Sequence, residues 1–110
     1  MYTPNVLNSP LCICSFNRNE RRDGVEYYKK SLDIASQINV KGLLVVADHP
    51  GYTTPRRDVW SYLVEGMKEI CDYIHGKNVK VTIEPLLPME SPVVTTVDDC
   101  VELIEDVGMV

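Results

Sequence analysis

The chain has no apolar run approaching the roughly 20 residues that a helix needs to cross a bilayer, which argues against a membrane-spanning protein. Met1 is followed by Tyr-Thr-Pro-Asn, with neither a basic region nor a long apolar stretch, so no signal peptide is expected. Positive charge is scarce: 11 Lys and Arg stand against 16 Asp and Glu, a formal net charge of −5. That balance speaks against a nucleic-acid partner, because neutralising phosphates takes clustered Lys and Arg. The short basic runs Arg21-Arg22, Lys29-Lys30 and Arg56-Arg57 read as solvated helix faces. No C-x-x-C pair occurs among Cys12, Cys14, Cys71 and Cys100. A zinc cluster or disulfide framework is therefore not expected; the cysteines read as small buried thiols of a cytoplasmic protein. There is no internal repeat and no low-complexity segment.

What is present is an ordinary globular composition, 45% hydrophobic and 25% charged over 110 residues, enough for one domain. Residues 1–20, with Pro4, Pro10 and several Asn, read as a loop that follows the tail of a strand at Met1-Tyr2-Thr3. Over 21–39 the apolar residues Val25, Tyr28, Leu32, Ala35 and Ile38 recur at steps of 3, 4, 3 and 3, one face of an amphipathic helix. The period then changes. Gly42-Leu43-Leu44-Val45-Val46-Ala47 is the short continuous apolar run of a strand buried on both faces, predicted over about 42–48. Asp48-His49-Pro50-Gly51 reads as a turn, and Thr54-Pro55 as an N-cap with proline at the first helical position. Trp60, Leu63, Met67, Ile70 and Ile74 mark a second helix over 55–75, stopped by Gly76. In 79–84, Val79, Val81 and Ile83 alternate with Lys80, Thr82 and Glu84, a second strand. A third helix over 97–107 starts near Thr96, with Asp98 and Asp99 in its first turn, Val97, Val101 and Ile104 on its inner face, and Gly108 at its end.

Helices alternating with short strands imply βαβ crossovers and a parallel sheet, an α/β fold. A doubly wound sheet would make both faces of 79–84 apolar, whereas one face here is Lys-Thr-Glu. In a barrel the apolar face packs under the helices and the polar face lines the interior. Glu84, last on its strand, then projects at the C-terminal rim where barrel enzymes keep their chemistry. A closed eight-stranded barrel takes about 250 residues, so the expectation is a single partial TIM-barrel domain over 1–110. Exposed strand edges and an open inner face make homo-oligomerisation an expected remedy.

Glu84 is the leading candidate for chemistry, because Pro85 ends the strand and holds its carboxylate at the rim. Glu90 follows in the same loop, and paired carboxylates at a strand end suit proton transfer or metal ligation with substrate contact. His49 lies on the same predicted rim, at the end of the other strand. A lone histidine in a turn is also compatible with a purely structural role. His75, in the last turn of a helix, complements the dipole, and Tyr52 could either reach the site or sit exposed.

The stretch His49-Pro50-Gly51-Tyr52-Thr53-Thr54-Pro55, together with Tyr2-Thr3-Pro4, Ser31-Leu32-Asp33, Ile83-Glu84-Pro85-Leu86 and Glu90-Ser91, resembles the xylose-isomerase-like barrel superfamily of sugar isomerases and epimerases. Within it the resemblance is closest to the fructoselysine 3-epimerases. It covers nearly the whole chain, from about the end of the third barrel strand to just before the sixth. The resemblance implies that Glu84 is both a metal ligand and a catalytic carboxylate, that Glu90 contacts substrate hydroxyls, and that His49 stands at the rim of the substrate pocket. It implies a divalent ion, Mn2+ or Co2+ before Mg2+ or Zn2+, acting as Lewis acid in an enediolate mechanism on a small-molecule sugar or sugar phosphate. The family's remaining ligands, an aspartate, a histidine and a second glutamate, belong to later strands, so the 110 residues alone are expected to be inactive and to hold metal weakly. Two other readings compete: a non-catalytic truncated remnant, and a barrel endonuclease acting on damaged DNA, which the acidic charge disfavours.

Overall fold

In the computed structural model, which describes residues 12–108, the elements run α1 (Arg18–Gln37), β1 (Gly42–Val46), α2 (Arg56–Ile74), β2 (Lys80–Glu84) and α3 (Val97–Val107). The strand tail expected at residues 1–3 lies outside the described residues.

Helix α1 begins before the Arg21 suggested by periodicity. The reason is Asn17, whose side chain accepts from Glu20 N at 3.1 Å and caps the helix. Ser15 Oγ reinforces the entry by donating to the Glu20 carboxylate at 2.6 Å. At the other end Ile38, expected on the inner face, is 59% exposed. It falls past the last helical turn, where Asn39 at φ 62° takes the left-handed conformation that stops the helix. The face that does bury comprises Gly24, Val25, Tyr28, Ser31, Leu32 and Ala35.

Helix α2 buries Val59, Leu63, Gly66, Met67, Ile70 and Ile74. Thr54 is not its cap: Pro55 holds that position at φ −55°, ψ 141°, with no side-chain capping bond. The Pro55 carbonyl instead accepts from Asp58 N and Val59 N at 3.0 and 3.1 Å. Trp60 is only half-buried, because its indole N–H leaves the core to donate to Asp106 Oδ2 of α3 at 2.8 Å. At Gly66 a Cβ would meet Ile13 and Val25 atoms at 3.6 Å, an ordinary contact distance, so the segment before α1 and helix α1 both pack against this part of α2.

The strands pair in parallel, in the register Gly42↔Lys80 through Val46↔Glu84. Both are shorter than predicted. β1 stops at Val46 because the chain turns at Asp48, and Val79 is buried but precedes the ladder, which opens with Lys80 N donating to Lys41 O at 2.8 Å. Leu43 and Val45 are fully buried under the helices, with Val81 and Ile83 packed against the same core.

Helix α3 has the capping box that its sequence encodes: Thr96 Oγ1 accepts from Asp99 N at 3.0 Å while the Asp99 carboxylate accepts from Thr96 N. Gly108 closes it at φ 71°. The inner face differs from expectation. Val97, Val101 and Ile104 are 72%, 47% and 46% exposed, and Leu103 and Val107 are the buried pair. Two apolar stripes run along this short helix, and α2 takes the stripe holding Cys100, Leu103 and Val107. Ile104 is left at the edge of an apolar cleft of about 850 Å³ bounded by α2, β2 and α3, which opens because β2 has β1 as its one strand neighbour among the described residues.

Candidate functional site

All three site residues picked out in the sequence arrive at the C-terminal end of the sheet, because that end holds the turn after β1 and the loop after β2. Glu84 pairs with Val46 and shares its face with Lys80 and Thr82, opposite the Val81 and Ile83 side chains that pack into the core. It is half-buried, and its carboxylate has no hydrogen-bonding partner among the described residues. Thr82, one step down the same face, donates from Oγ1 to Leu43 O at 3.3 Å and so ties that face to β1.

Glu90 sits in the loop that follows. Leu86 N donates to Val94 O at 2.9 Å, and Glu90 N and Ser91 N both donate to Leu87 O at 2.8 and 3.0 Å, which makes a compact turn. The Glu90 carboxylate accepts from Leu87 N at 3.3 Å within that turn. The structure thus brings Glu90 to the same end as Glu84, with its side chain folded back on its own loop.

His49 accepts a hydrogen bond at Nδ1 from Gly51 N at 3.0 Å, which leaves Nε2 to carry the proton of the neutral ring. Gly51 is at φ 84°, a conformation glycine reaches without strain. Tyr52 packs edge-on against the imidazole at 4.8 Å and is itself 81% exposed. His75 is the C-cap of α2, at the opposite end of the fold.

Two residues not assigned a role from the sequence hold this end together. Ser91 is completely buried, and its hydroxyl contacts Ala47 O at 2.6 Å and Asp48 O at 3.1 Å, fastening the Glu84–Glu90 loop to the end of β1. From the other side Cys14 Sγ donates to the same Asp48 carbonyl at 3.6 Å. Three successive segments are laced at one point. The sequence offered one hint, Ser91 following Glu90, but nothing in a pattern of types says which carbonyl a serine will reach. Ser91→Ala is expected to leave the buried Ala47 carbonyl short of its hydroxyl donor and to cost about 1–3 kcal/mol in urea unfolding. A cost of a few tenths would mean that the hydroxyl does not hold the loop.

Asp48 is the other. It is 3% exposed; Oδ1 accepts from His49 N at 2.9 Å, while Oδ2 has no partner. Burial pushes its carboxyl above the usual carboxylate range, against the lowering effect of the His49 contacts. A folded value raised above the unfolded one gives stability that is complete below the unfolded value, about 3.9, and is lost as pH rises through the folded value. Asp48→Asn, which keeps the Oδ1 acceptor and removes the charge, is therefore expected to raise the thermal midpoint at pH 7 and to bring no gain below about pH 4. Equal effects at both pH values would show that charge burial is not what Asp48 costs.

Glu84 offers the hard oxygen a divalent cation prefers. Among the described residues, however, no group of three or more His, Cys, Asp or Glu side chains is placed to hold a metal ion. No described helix is long and apolar enough to cross a membrane.

Comparison with known proteins agrees with this geometry. The model of a family described as the xylose isomerase-like TIM barrel matches residues 3–109. The chain is 33% identical over 98 residues to the fructoselysine 3-epimerases of Escherichia coli O157:H7 and of Shigella flexneri, a match that takes in 89% of this chain and 36% of each relative. The chain therefore spans little more than a third of the length of these relatives. The fold superposes on D-allulose 3-epimerase from Methylomonas sp., solved in complex with D-allulose, with a TM-score of 0.79 and 17% identity, over 91% of this chain and 36% of that one. At that identity the likeness speaks for the fold: a partial barrel of parallel strands and covering helices.

Proposed function

Because the chain belongs to the xylose isomerase-like TIM-barrel family, we propose that it is the part of a ketose 3-epimerase that carries one of the proton-transferring carboxylates, Glu84. The observation behind this reading is the placement of Glu84: last on β2, on the face away from the helices, unpartnered among the described residues, and held at the rim by Pro85 and the Ser91-fastened loop. Both kinds of relative reported above are named as 3-epimerases. In such a reaction a carboxylate removes the hydrogen from the carbon beside a ketose carbonyl, and return of a proton on the opposite face of the enediolate inverts the centre.

Glu84 takes or returns the proton on its face of the sugar. Glu90, on release from Leu87 N, binds a sugar hydroxyl, and His49 offers Nε2–H to another. A divalent ion, when bound, supplies Lewis-acid stabilisation of the enediolate charge. Glu84 is the one donor here that suits it, and the described residues do not assemble the rest of a site, so no step is derived through it. The substrate is a small free or substituted ketose, not a nucleic acid, and the compartment is the cytoplasm.

The test is an isotope experiment on the polypeptide that carries this chain. Incubation with a ketose in D2O is expected to yield the 3-epimer with deuterium at carbon 3. An aldose product with deuterium at carbon 2 would instead identify an aldose–ketose isomerase. Exchange at neither carbon would sink the reading.

A further inference from the structure

A tight turn just ahead of α1 brings two thiols together, apart from the carboxylates and histidine above. Ser15 N donates to Cys12 O at 3.3 Å, and within that turn Cys12 Sγ and Cys14 Sγ lie 3.5 Å apart. The residues are 3% and 0% exposed. Cys14 Sγ also lies 3.6 Å from Asp48 O, which ties the pair to the end of β1. Beside it lies the Asp48 carboxylate, buried and with one oxygen unpartnered. Cys71 and Cys100 are half-buried on separate helices.

We propose that Cys12 and Cys14 form a chelating dithiol site for a trivalent arsenical, with an organoarsenous oxide as its simplest ligand. The reaction is a condensation. Both S–H bonds break, two As–S bonds form, and the arsenic-bound oxygen leaves as water with the two hydrogens. Arsenic stays trivalent and sulfur stays at the thiol level, so no oxidant or reductant is required.

Three features select this chemistry. The contact with the Cys12 thiol, then burial, hold the Cys14 thiol far above its usual range, with the Asp48 charge adding to both. Cys14, kept protonated, is slow towards peroxides, because the thiolate is the form that attacks them. Condensation by contrast consumes neutral thiols and leaves no charge among buried groups. The sulfurs are already at contact distance, as two ligands on one pyramidal centre must be. And no third metal-binding side chain joins them among the described residues, so an ion that wants four tetrahedral donors finds no ready set.

Treatment of the folded 110-residue chain with one equivalent of phenylarsine oxide, read by intact mass, is expected to add a single phenylarsenic group with loss of two hydrogens. A large excess of glutathione should leave the adduct in place, whereas dimercaptopropanol should strip it. Cys12→Ser and Cys14→Ser should each lower retention against glutathione by about 10²-fold or more, because the second As–S bond is then lost. The Cys71→Ser/Cys100→Ser double variant, which leaves the turn untouched, should retain the adduct fully and decides the matter if a turn variant fails to fold. Absence of the adduct on the folded chain, its mapping to Cys71 or Cys100, or undiminished retention in Cys12→Ser would overturn the proposal.

Discussion

Glu84→Gln is expected to lower the turnover of the catalytically competent polypeptide by about 10²–10⁴-fold, the usual contribution of a positioned acid–base group. The substitution keeps the shape of the side chain and removes its ability to take a proton. It should leave the fold alone, because the carboxylate makes no hydrogen bond among the described residues. Substitutions free of such partners stay within about 0.5 kcal/mol. The two measurements belong together: kcat for a ketose epimerised in D2O, and the urea midpoint of the same preparation. A variant with near-normal kcat would remove Glu84 from the proton path. A variant that unfolds would mean that the carboxylate is structural, and the rim geometry would then need another explanation.

Leu63→Ala carries the largest expected effect on stability. Leu63 is fully buried on the inner face of α2, in the cluster that also holds Val25, Tyr28 and Leu32 of α1 and Leu43 and Val45 of β1. Truncating a buried leucine removes apolar contacts and leaves a cavity that neighbours only partly close, a cost of about 2–5 kcal/mol. A domain of this size is stable by roughly 5–15 kcal/mol in total. A sheet of two strands among the described residues has few further layers to share the loss, so the variant should unfold at much lower urea. Val101→Ala offers the contrast. Its side chain is 47% exposed on α3, and the change should cost no more than about 0.5 kcal/mol. If the two variants proved equal, the core would not be where the packing puts it.

That contrast also marks how far the residues alone could be read. The apolar run Gly42–Ala47 and the alternation of 79–84 suffice for two strands and for which side of β2 carries Glu84, because period and burial follow from backbone geometry. Thr96 with Asp99, and Gly108, fix the ends of α3 for the same local reason. Its inner face differs from the periodic expectation, since two apolar stripes compete and only the position of α2 selects between them. Trp60 falls in the same class: it has the right type for the expected role, and Asp106, remote in the sequence, redirects its indole.

The sequence by itself therefore determined the order of elements, the α/β character and the residue at the strand end, all properties of chemistry close along the chain. Tertiary structure alone decided which atoms meet across it: Ser91 on the Ala47 carbonyl, an oxygen of Asp48 shut away without a partner, and the Cys14 thiol on the Asp48 carbonyl. The physical reason is that periodicity reports the direction of a side chain relative to its own backbone. Hydrogen bonds and thiol contacts depend on fractions of an ångström between segments more than thirty residues apart, and only the packed core sets those.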